Sequence, residues 1–167
     1  NPSVPEPKRS WFQNRLFRLA VAHAVDKESM IDSIYLGRAV PTWGPVSPAH
    51  TAWHNPDLPQ YPYDLDRAQE LLEEAGFELG PDGLLRDWDG NVVEFTIITN
   101  AGNREREAMA NFIREDLEAL CMRVTVSPID FNLLVNQLTG GQGWDAIVLG
   151  FTGVMDPNGG RNVWHST

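Results

Sequence analysis

The stretch NVVEFTIITNAGNREREAMANFIREDLEALCMRVTVSPI, residues 91–129, decides the fold. Val93, Phe95, Ile97 and Ile98 supply the β-prone apolar side chains of a core strand. Ala108, Met109, Phe112, Ile113, Leu117 and Leu120 then fall on one helical stripe, with acidic and basic residues on the remaining surface. RVTVSPI, residues 123–129, reads as a second strand. Strand, helix and strand in that order pack most simply as parallel strands joined by a right-handed crossover, so the chain belongs to the α/β class.

Working outward, a helix from about Asp130 to Leu138 and a strand DAIVLGF, residues 145–151, continue the alternation. The glycines of TGGQGWD lie between that helix and that strand, whereas glycines that cradle phosphate lie between a strand and a following helix, so they end the helix. On the amino-terminal side, GPDGLLRDWDGN predicts a short strand and an Asp-Gly turn that feed the core strand as a hairpin. YDLDRAQELLEEAGF predicts a helix capped by Asp64 and stopped by Gly76, with Ala68, Leu71, Leu72 and Ala75 facing inward. NRLFRLAVAHAV and DKESMIDSIYLG predict two short helices in series, the second capped by Asp26 and closed at Gly37. Between Arg38 and Tyr63 six prolines impose a long ordered loop, of a kind that is often functional or packed on a partner surface. Residues 1–13 read as an extended lead-in and residues 14–167 as one α/β unit.

Composition narrows the function. A compact chain of 167 residues has a true core, burying roughly 70% of the surface its unfolded form exposes. Thirteen Lys and Arg against twenty-three Asp and Glu leave a formal charge of −10, which repels phosphate backbones and makes nucleic acid a poor partner. Cys121 is the single cysteine, expected as a small buried apolar group. No cofactor or metal is expected. His50 and His54 are four apart but Pro-bounded, in a loop and not on a helix. DWDGN resembles the opening of a calcium loop, yet Gly90 comes too early and the closing Glu is missing, so it reads as a hairpin turn. Glu73 and Glu74 are neighbours on a solvated helix face. No nucleophile elbow and no convincing Ser/His/Asp or Cys/His set stands at the strand ends. Ligands of open parallel sheets sit beyond the carboxyl ends of the strands, here Asn100 to Asn103 and Phe151 to Asp156.

Four stretches, taken in order, resemble the carboxyl-terminal lobe of the oligopeptide- and dipeptide-binding proteins, the family-5 solute-binding proteins of ABC transporters. They are residues 14–48, YDLDRAQELLEEAGF, DGLLRDWDGN, and GGQGWDAIVLGFTG with its following Asp-Pro. The resemblance implies a type II periplasmic-binding-protein-like lobe: a short, mostly parallel sheet flanked by helices, with an added β-hairpin. It implies a fragment of a two-lobed, non-enzymatic receptor that closes on a peptide or related solute and presents it to a membrane permease. The expected location is periplasmic or extracellular, with lipid anchoring of the whole protein left open. The fragment is expected to be monomeric and to bind free solute weakly by itself.

The resemblance also assigns the loop after the last strand. Phe151 stands at the family's ligand-covering aromatic position, and Thr152 and Gly153 follow it. Val154 stands where peptide-binding members carry the aspartate that holds the ligand's α-amino group, and Asp156 belongs to the next Asp-Pro pair. Two readings follow: Asp156 takes over that role across a shorter loop, or the solute has no free amino terminus. Nickel complexes, glutathione and sugars are alternatives within the family. Outside it stand an α/β enzyme domain using Asn100 and Asp156, and an interaction module presenting the surface around Phe151 to a protein.

Overall fold

A computed structural model describes residues 3–141 and 143–151. Its elements run α1 (Lys8–Gln13), α2 (Arg15–Ala24), α3 (Lys27–Tyr35), α4 (Leu65–Glu74), β1 (Glu78–Leu79), β2 (Leu85–Arg86), β3 (Glu94–Asn100), α5 (Arg104–Glu118), β4 (Arg123–Ile129), α6 (Phe131–Gly140) and β5 (Ala146–Ile147). The main sheet has the order β4-β3-β5 and is parallel throughout. Phe95 stands opposite Val124, and Ile97 is flanked by Val126 and Ala146. The α/β class and the parallel sheet therefore hold.

Phe95 and Ile97 join Phe17 and Ala20 of α2, Leu71 and Leu72 of α4, and Ala110 and Leu117 of α5 in one apolar core. α6 packs on β3 and buries Leu134 completely. Because β4 and β5 lie on opposite sides of β3, right-handed crossovers place α5 and α6 on opposite faces of the sheet. The four longest helices are capped as their sequences require: Asn14, Asp64, Asn103 and Asp130 accept first-turn N–H groups at the starts of α2, α4, α5 and α6.

The structure corrects several expectations. The lead-in is not simply extended, because Lys8–Gln13 is helical. That helix buries Trp11 to 1% exposure, and its Lys8 Nζ lies 2.7 Å from Asp145 Oδ2. The hairpin ladder lies between β1 and β2, and the Asp-Gly turn leaves only an isolated bridge between Arg86 and Val92. Asp87 causes this change: its carboxylate turns inward and accepts the N–H groups of Asp89 and Asn91 at 3.0 and 2.8 Å. The last strand is only two residues long, though Val148 N–H still donates to Ile98 O. Leu36 is the left-handed cap of α3, one residue before Gly37. Cys121 is half-buried, with φ of 61°, and its carbonyl accepts from Leu85 N–H as the chain turns from α5 into β4.

The Pro-rich loop packs on its own lobe. Lys27 Nζ lies 5.0 Å from the Trp43 ring centre and donates to Ala22 O and Tyr61 O. His23 Nδ1–H donates to Pro62 O at 2.8 Å, with its ring edge-on to Tyr61. Trp43, Tyr61 and Pro62 are thereby tied to α2 and α3, while Trp53 stays 59% exposed.

Candidate functional site

The loops leaving β3 and β4 go to helices on opposite faces, so their carboxyl ends splay apart. This is the switch point at which open α/β sheets bind ligands. Ala101 N–H donates to Ile129 O at 2.7 Å and holds the two strands together up to their last residues. Beyond it, Asn103 caps α5 through the N–H of Arg106, and Glu107 accepts the N–H of Gly102 at 2.7 Å. The loop after β3 is thus fixed from both sides.

Arg106 organises the edge. Its Nη1 donates to Asn100 Oδ1 at 2.6 Å. Its guanidinium also lies against Gly150, where a Cβ would sit only 3.0 Å from Nη2. One side chain from the first turn of α5 therefore joins the end of β3 to the segment after β5. Thr99, fully buried, adds a second link by donating its hydroxyl to Val148 O at 3.0 Å. A planar fork of N–H donors beside a strand end is suited to a carboxylate or a carbonyl group.

Two aromatic residues stand at the same edge. Phe131 is the first residue of α6, directly after β4, and is 50% exposed. Phe151, three residues after Val148, is 61% exposed. Since β4 and β5 flank β3, these residues fall on either side of the Asn100–Arg106 pair.

Of the residues singled out in the sequence, Asn100 and Phe151 lie at this edge. Thr152, Gly153, Val154 and Asp156 lie outside the described residues. Arg106 and Phe131 were missed. Arg106 sits in the charged run NREREAMA, where charge alone reads as a solvated face. Phe131 carried a usable signal, an aromatic residue at the first helical position after a strand. The Trp-Asp landmark before β5 is structural: Asp145 accepts Thr96 N–H and pairs with Lys8, while Trp144 Nε1 donates to Gln137 O. His50 and His54 share a turn in which His54 N–H donates to His50 O. Among the described residues no cluster of three or more His, Cys, Asp or Glu is placed to hold a metal ion. No described helix is long and apolar enough to cross a membrane.

A parallel sheet with helices on both faces and a switch point at its carboxyl edge is the build of a lobe of the periplasmic-binding-protein type. Residues 3–167 match the bacterial extracellular solute-binding proteins, family 5, and the chain belongs to that family. A probable ABC transporter-binding protein of Deinococcus radiodurans is 34% identical over 152 residues, covering 87% of this chain and 26% of that protein. The oligopeptide-binding protein AppA of Bacillus subtilis is 31% identical over 166 residues, covering 96% of this chain and 30% of that protein. The structure of AppA in complex with a nonapeptide superposes with a TM-score of 0.86 over 94% of this chain and 31% of its own, at 29% identity. MelB of Agrobacterium fabrum, solved with stachyose, superposes at 0.74 with 26% identity, over 84% of this chain and 22% of its own. The chain spans about a quarter to a third of the length of the curated relatives it matches.

Proposed function

We propose that this chain, α1 included, forms one lobe of a receptor that captures a peptide or related small solute and delivers it to the membrane permease of an ABC importer. The observation that carries this reading is the Arg106 guanidinium, held between Asn100 and Gly150 at the switch point with Phe131 and Phe151 to either side. The edge offers a fixed cation and two aromatic surfaces, which together suit a solute with carboxylate or carbonyl groups and apolar side chains. Nothing in this arrangement calls for a nucleophile or a general base, so the chain acts by binding. It works as a monomer outside the cytoplasmic membrane, and the second half of the ligand's contacts comes from an opposing lobe.

Val154 refines the solute class. Without a carboxylate at that position the α-amino group of a peptide gains no partner there, which favours a solute that lacks a free amino terminus. Asp156 precedes Pro157 in the sequence, a context in which Asp commonly serves as a turn residue.

Calorimetry of the full-length receptor with one peptide in free and N-acetylated forms tests both parts. Acetylation should change affinity by less than about 1 kcal/mol, against roughly 2–5 kcal/mol where one partner of a buried charge pair is removed. A large loss on acetylation, reproduced by Asp156→Asn, would transfer the amine-binding role to Asp156. Binding of oligosaccharides but no peptide would move the protein to the sugar-binding branch. Failure of Arg106→Ala to weaken any solute would overturn the assignment of this edge as the site.

A further inference from the structure

The amino end of the sheet carries a second concave surface. α5 runs back along the strands, so its last turn lies at the start of β4, beside the end of α4 and the hairpin. Between them lies a groove of about 440 Å³, within the roughly 300–1,000 Å³ range of ligand pockets. Its floor is apolar, formed by Leu72, Phe77, Leu85 and Leu120, each under a tenth exposed. Its rim carries Glu73, Glu78 and Gln69, and none of its lining residues is basic. Leu79, on the groove wall, is 58% exposed although it is a large apolar residue. Leu79 and Leu85, cross-strand partners in the β1–β2 hairpin, both line the groove, so it lies against a face of that hairpin.

We propose that this groove docks a segment of a partner protein carrying a bulky apolar side chain between basic ones. The apolar floor takes the central side chain, and Glu73 and Glu78 pair with the flanking Lys or Arg. A small cation would satisfy the rim but leave the floor wet, and an acidic segment would meet two like charges. The groove lies at the opposite end of the strands from Asn100, so both surfaces can be occupied at once.

Cys121, half-buried in the groove wall, reports occupancy without added labels. The probe is the acetylated, amidated hexapeptide Lys-Val-Phe-Lys-Val-Lys, added to the full-length protein while iodoacetamide alkylation of Cys121 is followed by mass spectrometry. Saturating peptide should slow alkylation about tenfold, and rising salt should weaken the protection. The counterpart with Glu in place of Lys should leave the rate unchanged. Glu73→Lys with Glu78→Lys should exchange the two results, and Glu73→Gln with Glu78→Gln should reduce protection while leaving both exposed positions uncharged. No slowing by the basic peptide, equal slowing by both peptides, or protection that survives the Lys double substitution would overturn the proposal. The last result would place the peptide elsewhere, including the carboxyl edge.

Discussion

Trp11 Nε1 donates a hydrogen bond of 2.8 Å to Asp87 Oδ2, across 76 residues of sequence. The same carboxylate accepts the N–H groups of Asp89 and Asn91 and the side-chain amide of Asn91. A helix of six residues has too few internal bonds to persist unaided, so this contact and the burial of the indole hold it in place.

Trp11→Phe keeps most of the buried ring but deletes the donor, leaving a buried carboxylate with one bond fewer. The expected cost is about 1–3 kcal/mol in urea unfolding. A cost under about 0.5 kcal/mol would show that packing alone secures α1.

Acid should act through the same group. Burial works against the charge on Asp87, but hydrogen bonds from Trp11 and Asn91 outweigh it and hold the carboxyl below its ordinary 3.8. The folded pKa is depressed, so the stabilisation is complete above about 4 and is lost as pH falls through the folded value. Unfolding free energy measured against pH should drop below that point, and Asp87→Asn should flatten this limb while lowering stability at neutral pH.

Gly150→Ala separates site geometry from stability. The new methyl would meet the end of a flexible Arg106 side chain, which can give way, so stability should change by less than about 1 kcal/mol. The displaced guanidinium should nevertheless weaken solute binding by the full-length receptor. Arg106→Lys should do the same by about tenfold, since an ammonium keeps the charge but loses the fork. Unchanged solute affinity in both variants would remove Arg106 from the site.

Lys27→Met tests the anchoring of the Pro-rich loop. Burial lowers the Lys27 pKa, opposed by the nearby Asp116 and Asp26 carboxylates, and the ammonium holds Tyr61 O and the Trp43 face. Limited proteolysis should then cut faster between residues 38 and 63, with little change elsewhere. An unaltered cleavage pattern would mean that His23 and Tyr61 suffice.

The centre of the fold was legible because its patterns are local. The alternating Val93 and Phe95, and Ile113, Leu117 and Leu120 of the predicted stripe, reach the core without knowledge of neighbours, whereas Ala110, outside that stripe, is fully buried and Ala108, Met109 and Phe112 only partly so. α1 was not legible, because six residues hold less than two turns and the helix depends on Asp87, far away in sequence. The length of β5 was hidden for a related reason: an apolar run does not reveal that its ladder pairs only with Ile97 and Ile98. At the proposed site, Asn100 and Phe151 were named from the rule that ligands lie beyond strand ends, and both stand at the carboxyl edge of the sheet. Arg106 needed the three-dimensional approach of Gly150, which no spacing encodes. Phe131 needed the knowledge that β3 and β4 send their chains to opposite faces.

The strand order carries a consequence for synthesis. β3 is central, yet one of its neighbours arrives only with Ala146 and Ile147, and Lys8 waits for a partner 137 residues later. At about 5–20 residues per second, that interval lasts roughly 7–27 s on the ribosome. α1 lacks its tether to Asp145 for all of that time, and for its last part, the 46 residues from Asn100 to Ala146 or roughly 2–9 s, one flank of β3 has no strand beside it. A nascent chain of this lobe therefore offers chaperones an open sheet margin for seconds, and the third described strand joins only when the segment leading to Phe151 emerges.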